Sequence, residues 1–164
     1  MKTLLERLQK IERVVAASAF GLMTLLVLTD ILLREGFKQS FAIGPKLALD
    51  FMILGGFLGA AITSGKGTHL KAEVATKLWP ESLKPFAATL GELLTAVFCT
   101  GLAWISFKYV AGSREMGEAN VVTGVPIWVS QLVIPWTFVS MALRHLAFTF
   151  KAELRPVTTI EDLK

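Results

Sequence analysis

Apolar residues gather in four long runs separated by short polar stretches. Val14–Leu33 carries one charge, Asp30, and Leu47–Ser64 carries one, Asp50. Pro85–Phe107 carries Glu92, and Ile127–Leu143 carries none. The last run resumes after Arg144 and His145 and continues to Phe150. About 20 apolar residues cross the roughly 30 Å of bilayer hydrocarbon as a helix. Backbone groups in lipid have no water to bond with, so such runs must be helical. The pattern predicts an all-α integral membrane protein in which residues 1–164 form a single membrane domain. Its four transmembrane helices are expected at about 14–33, 47–64, 85–107 and 127–148.

The flanking segments refine this picture. Residues 2–13 set Leu4, Leu5, Leu8 and Ile11 on one helical face, with Glu6, Arg7, Lys10 and Arg13 mostly elsewhere. This is the pattern of a short amphipathic helix on the membrane surface, or of the lower end of span 1. The surface helix is the expectation adopted. Ala17-Ser18-Ala19 resembles a signal-peptidase site but opens the apolar run, whereas such sites follow it. Gly36 is expected to break span 1, with a short loop Phe37–Pro45 leading to span 2. Gly65–Lys84 connects spans 2 and 3. Tyr109–Pro126 is expected to be the longest loop, with a turn at Thr123-Gly124-Val125-Pro126. No internal repeat or low-complexity segment is evident.

Composition agrees: 53% of the chain is hydrophobic and only 18% charged. The net charge of +4 would suit nucleic acid, but its distribution reads better as membrane orientation. Twelve basic residues lie in the N-terminal segment, the span 2–3 connection and the C-terminal end, and five lie on the opposite side. By the positive-inside rule both termini face the cytoplasm.

Ionisable residues inside spans point to function or packing. Asp30 and Arg34 are one turn apart, as are Lys46 and Asp50, so the four are expected to form a polar cluster in the outer leaflet. An ion-paired anchor between helices or against a partner subunit is favoured over an ion or proton site. Glu92 has no basic residue one turn away; a partner contact or a proton relay would account for it, with the contact preferred. In span 2, Gly55 and Gly59 form one small-residue stripe, and Gly56, Ala60 and Ser64 a second. These let helices approach closely and mark span 2 as the centre of packing.

His69 and His145 fall at cytoplasmic ends. Paired haem ligands should lie at similar depth in facing spans, and His69 lies outside its apolar run. His69 is expected to anchor the loop with Glu73. The lone Cys99 is read as a small buried hydrophobe. No residues show metal-ligand spacing, a phosphate-cradling glycine loop or a nucleophile with its base, so no enzyme and no cofactor is expected in this chain. Trp79, Trp104 and Trp128 suit an interfacial belt. Pro135, beside Trp136, is expected to kink span 4 and free a carbonyl.

Three stretches together are similar to a known family. They are Asp30-Ile31-Leu32-Leu33-Arg34; Phe57-Leu58-Gly59-Ala60-Ala61 followed by Gly67-Thr68-His69-Leu70-Lys71; and Val125-Pro126-Ile127-Trp128 with Ile134-Pro135. In order and spacing the chain resembles the small membrane subunit of tripartite ATP-independent periplasmic (TRAP) transporters. Family members often carry acids at the start of span 2, where Lys46 and Asp50 stand here. The resemblance implies a three-part importer of carboxylate solutes such as sialic acid or C4-dicarboxylates. A periplasmic binding protein delivers the solute, and a large membrane subunit holds the substrate and sodium sites. The small subunit, in the bacterial inner membrane, braces the large one and extends the docking platform. Arg114, Glu115 and Glu118 are then candidates for touching the binding protein. Two other readings stand beside it: a self-contained homo-oligomeric transporter or channel, and a membrane anchor for an electron-transfer complex.

Overall fold

Span 1 belongs to a helix much longer than a bilayer requires. In the computed structural model, which describes residues 2–39, 41, 43–65, 80, 83–120, 123–151 and 154, α1 runs unbroken over Lys2–Phe37. Thirty-six residues at 1.5 Å each make about 54 Å. Residues 2–13 are therefore the first turns of α1 and not a separate surface helix. The reason lies in one face: Leu8, Glu12, Ala16 and Ala19 follow one another at helical spacing, and the last three are buried. Gly36 does not end the helix. Lys38 does, in the left-handed conformation with φ 55°.

α2 follows over Ile43–Gly65. α3 covers Lys84–Met116, extending well past the expected end at Phe107. The outer loop accordingly shrinks. Gly117 caps α3 with φ 65°, an angle that glycine adopts without the Cβ penalty. Asn120 N–H bonds to the Val125 carbonyl at 2.9 Å, and Gly124 N–H to the Asn120 carbonyl at 2.7 Å. Ile127 N–H, at the start of span 4, bonds to the Glu118 carbonyl at 3.0 Å, so the turn expected at residues 123–126 is tied to both α3's end and span 4.

Span 4 is two helices, α4 over Ile127–Gln131 and α5 over Val133–Phe150. Proline lacks an N–H and its ring crowds the carbonyl four residues earlier, here Gln131. The interruption accordingly falls at Leu132, one turn before Pro135, whose side chain is fully buried.

Four of the segments, Leu5–Phe37, Ile43–Gly65, Phe86–Met116 and Ile127–Phe150, are long and apolar enough to cross a membrane. They form two antiparallel pairs: α1 packs along α2, and α3 along α5. α2 and α5 join the pairs, so the order across the layer is α1, α2, α5, α3. Ala16, Leu58 and Val133 form the buried seam where α1, α2 and α5 meet, with Leu54, Phe57 and Ile134 against it. Phe57 meets Phe138 edge to face at 6.4 Å.

Candidate functional site

The strongest polar feature lies toward the cytoplasmic ends of the spans and draws on all four. Arg144 on α5 is 2% exposed. Its guanidinium donates to the Glu12 carboxylate of α1 and to the Ala61 backbone carbonyl of α2. Glu12 is also 2% exposed, and its second oxygen accepts from the Ser140 hydroxyl at 2.6 Å. Beside this pair, His145 Nδ1 lies 2.6 Å from Glu92 Oε2 of α3. His145 Nε2 lies 2.7 Å from the Ser64 hydroxyl of α2. With Glu92 ionised, Nδ1–H donates to it. Nε2 then accepts from Ser64 when the ring is neutral and donates to it when charged.

Local sequence explains how these groups converge. Glu12 sits on the apolar face of α1, between Leu8 and Ala16. Arg144 and His145 are adjacent, so their side chains diverge by about 100° around α5, one toward α1 and α2 and the other toward α3 and α2. Gly65 makes room: a Cβ there would lie 3.2 Å from an Arg144 guanidinium nitrogen and 3.3 Å from the Gln9 amide. A buried charge is tolerated only when paired and hydrogen-bonded, and both conditions are met here.

Several expectations change. Glu92 has a partner within its own chain, His145, so it needs no second subunit to satisfy it. It stands at the opposite end of the layer from Asp30 and is not part of one cluster with it. Arg144, read as an orienting charge at the membrane edge, is buried; the charge asymmetry survives without it. Both ring nitrogens of His145 are engaged, Nδ1 by Glu92 and Nε2 by Ser64. Sequence reading passed over Glu12, Ser64, Ser140 and Arg144 as a site. The available signal was an acid on an apolar helix face together with a basic pair interrupting a span.

The outer half is different. Asp30, 7% exposed, accepts from the Phe41 backbone N–H at 3.1 Å, which ties the α1–α2 loop at the start of α2. Arg34 and Lys46 are exposed and Asp50 is half-buried. Among the described residues no ion pair joins any of these four. The expected cluster therefore resolves into a loop tie at Asp30 and a separate acid at Asp50. The small-residue stripes of α2 divide too. A Cβ on Gly55 would come within 2.9 Å of the Phe20 ring, so α1 and α2 approach closely there. Gly56 and Gly59 have nothing within 4 Å, and Ala60 is half-buried. His69 and Glu73 lie outside the described residues.

Concave surfaces among the described residues add to the geometry. A groove of about 840 Å³ opens between α1 and α5, with α2 along its base and Asp50 on its lining. At the outer end, Arg114, Glu115 and Trp128 border a cavity of about 460 Å³. The Arg114 guanidinium lies over the Trp128 ring at 5.6 Å. Arg114 and Glu115 belong to the last turns of α3, and only Glu118 is in the loop; all three are exposed. Among the described residues no group of His, Cys, Asp and Glu gathers that could hold a metal ion.

This is a multi-pass membrane protein whose buried polar groups bind its helices to one another. Residues 23–154 match the family described as tripartite ATP-independent periplasmic transporters, DctQ component, and the chain belongs to that family. A Haemophilus influenzae protein named for the TRAP transporter small permease is 22% identical over 165 residues, spanning 94% of this chain and 99% of that relative. The chain is therefore a small permease subunit of a TRAP transporter, a component of an inner-membrane transport system and not an enzyme. Its family works with a large permease and a periplasmic binding protein.

Proposed function

We infer that this subunit is a static brace for the large permease in a sodium-coupled importer of carboxylate solutes, and that its outer end helps receive the binding protein. The observation that carries the reading is the closed polar network of Glu12, Ser64, Glu92, Ser140, Arg144 and His145. It locks all four spans together near one end, as a scaffold requires. Its charged members are committed to each other, which leaves the substrate and sodium sites to the partner. At the other end, Arg114 held over Trp128 with Glu115 and Glu118 exposed offers a fixed charged rim for a soluble protein.

The test is reconstitution with the large permease and the binding protein. Uptake of a carboxylate solute should require an inward sodium gradient and all three components. Glu115→Lys with Glu118→Lys should lower uptake several-fold and raise the binding-protein concentration needed for half-maximal rate. Unchanged uptake in the double variant would remove the docking role, and full uptake by the large permease alone would remove the bracing role.

A further inference from the structure

Among the described residues, the groove between α1 and α5 differs from the rest of the apolar surface in one respect: it contains an uncompensated charge. Its base is Leu54 and Leu58 of α2, and its walls include Val15 of α1 and Trp136 and Val139 of α5. Glu12 also reaches it, but that carboxylate is neutralised by Arg144 and bonded to Ser140. Asp50 is not so provided for. It stands seven residues into α2, about 10 Å along the helix from its outer end, and is half-buried. Among the described residues it has no hydrogen bond or ion pair. Lys46, one turn nearer the outside, is exposed and unpaired with it.

A carboxylate at that depth beside hydrocarbon is costly unless it meets a cation or hydrogen-bond donors. Acyl chains provide neither. The groove runs from Val129 to Val139, about 15 Å at helical rise, enough for some three turns of a facing helix to lay its side chains into it. We propose that this groove seats a transmembrane helix of the large permease, and that the seated helix carries a lysine or arginine that pairs with Asp50. The assignment rests on the bracing role inferred above and names the face that performs it. Among the described residues, the rest of the apolar exterior, such as Leu94, Val97 and Phe98 on α3, carries no comparable charge and suits lipid.

The experiment uses the chain coexpressed with the large permease in membranes. Photo-crosslinking residues are placed at Leu54 and Val139 in the groove and at Val97 on α3, and copurification is measured for Asp50→Asn and Asp50→Lys. The groove positions should crosslink to the large permease and Val97 should not. Copurified large permease should fall several-fold with Asp50→Asn and at least tenfold with Asp50→Lys, while the melting temperature of the isolated Asp50→Asn subunit stays at the wild-type value. Groove crosslinks to lipid or to a second copy of this chain would overturn the assignment, as would undiminished copurification of both variants. Crosslinking from Val97 alone, with copurification intact, would leave the bracing role standing and remove the groove. Failure of the wild-type chain to copurify with the large permease would remove both.

Discussion

The two ends of this helical layer use the same kinds of residue to different effect. Near the cytoplasmic end, two acids, an arginine, a histidine and two serines from four spans satisfy one another. Toward the outer end, Asp30 ties a loop and Asp50 faces an open groove without a partner among the described residues. An acid inside a span is thus no single signal. Where its neighbours complete its hydrogen bonds it holds the fold, and where they do not it is left for another chain.

The comparison is most sharply tested at Arg144. Removing it by Arg144→Met strands a buried Glu12 carboxylate and should cost about 3–5 kcal/mol, read as a lowered melting temperature and loss of the monodisperse species in detergent. Pairing it with Glu12→Leu should recover most of that stability, because two matched apolar side chains leave no buried charge. If the single variant melts like wild type, the network does not hold the layer together.

His145→Leu should cost less, about 1–3 kcal/mol, since it leaves Glu92 and Ser64 without one partner each. Glu92→Gln, which keeps the shape and can still hydrogen-bond, should cost less again. The same melting experiment ranks all three, and an equal loss for His145→Leu and Glu92→Gln would argue that charge and not bonding matters there.

Helix approach gives a smaller contrast within α2. Gly55→Ala places a methyl against the Phe20 ring and should destabilise the α1–α2 pair by about 1 kcal/mol. Gly59→Ala meets nothing within 4 Å and should be neutral or slightly stabilising in the isolated subunit, since alanine favours helix over glycine. At the outer end Asp50→Asn should change the isolated subunit's stability by less than about 0.5 kcal/mol. A larger loss would mean that Asp50 serves this chain's own fold, and the contrast between the two ends would disappear.

The resemblance read from Asp30 to Arg34, Phe57 to Lys71 and Val125 to Pro135 led to the right family, and span number followed from apolar length. Element ends were less legible. Residues 2–13 read as a separate helix because their polar residues dominate the pattern, yet Glu12 on the apolar face is what extends α1. The end of α3 was placed early because Lys108 and Arg114 look like loop residues, whereas Lys108 lies over the Trp104 ring at 5.3 Å and Arg114 over Trp128. The proline effect was anticipated, but its displacement to Leu132 follows from where the ring meets the preceding turn.

By itself the sequence determined that this chain crosses a membrane four times, because apolar length acts through the bilayer and needs no knowledge of neighbours, and its basic-residue asymmetry predicts both ends inside. Only the tertiary structure decided which charges are mutually satisfied. Glu12 and Arg144 are 132 residues apart, and their pairing depends on how α1, α2 and α5 are laid side by side. Local spacing joined Asp30 to Arg34 and Asp50 to Lys46; packing joined Glu12 to Arg144 and Glu92 to His145 instead, and left Asp50 facing the groove.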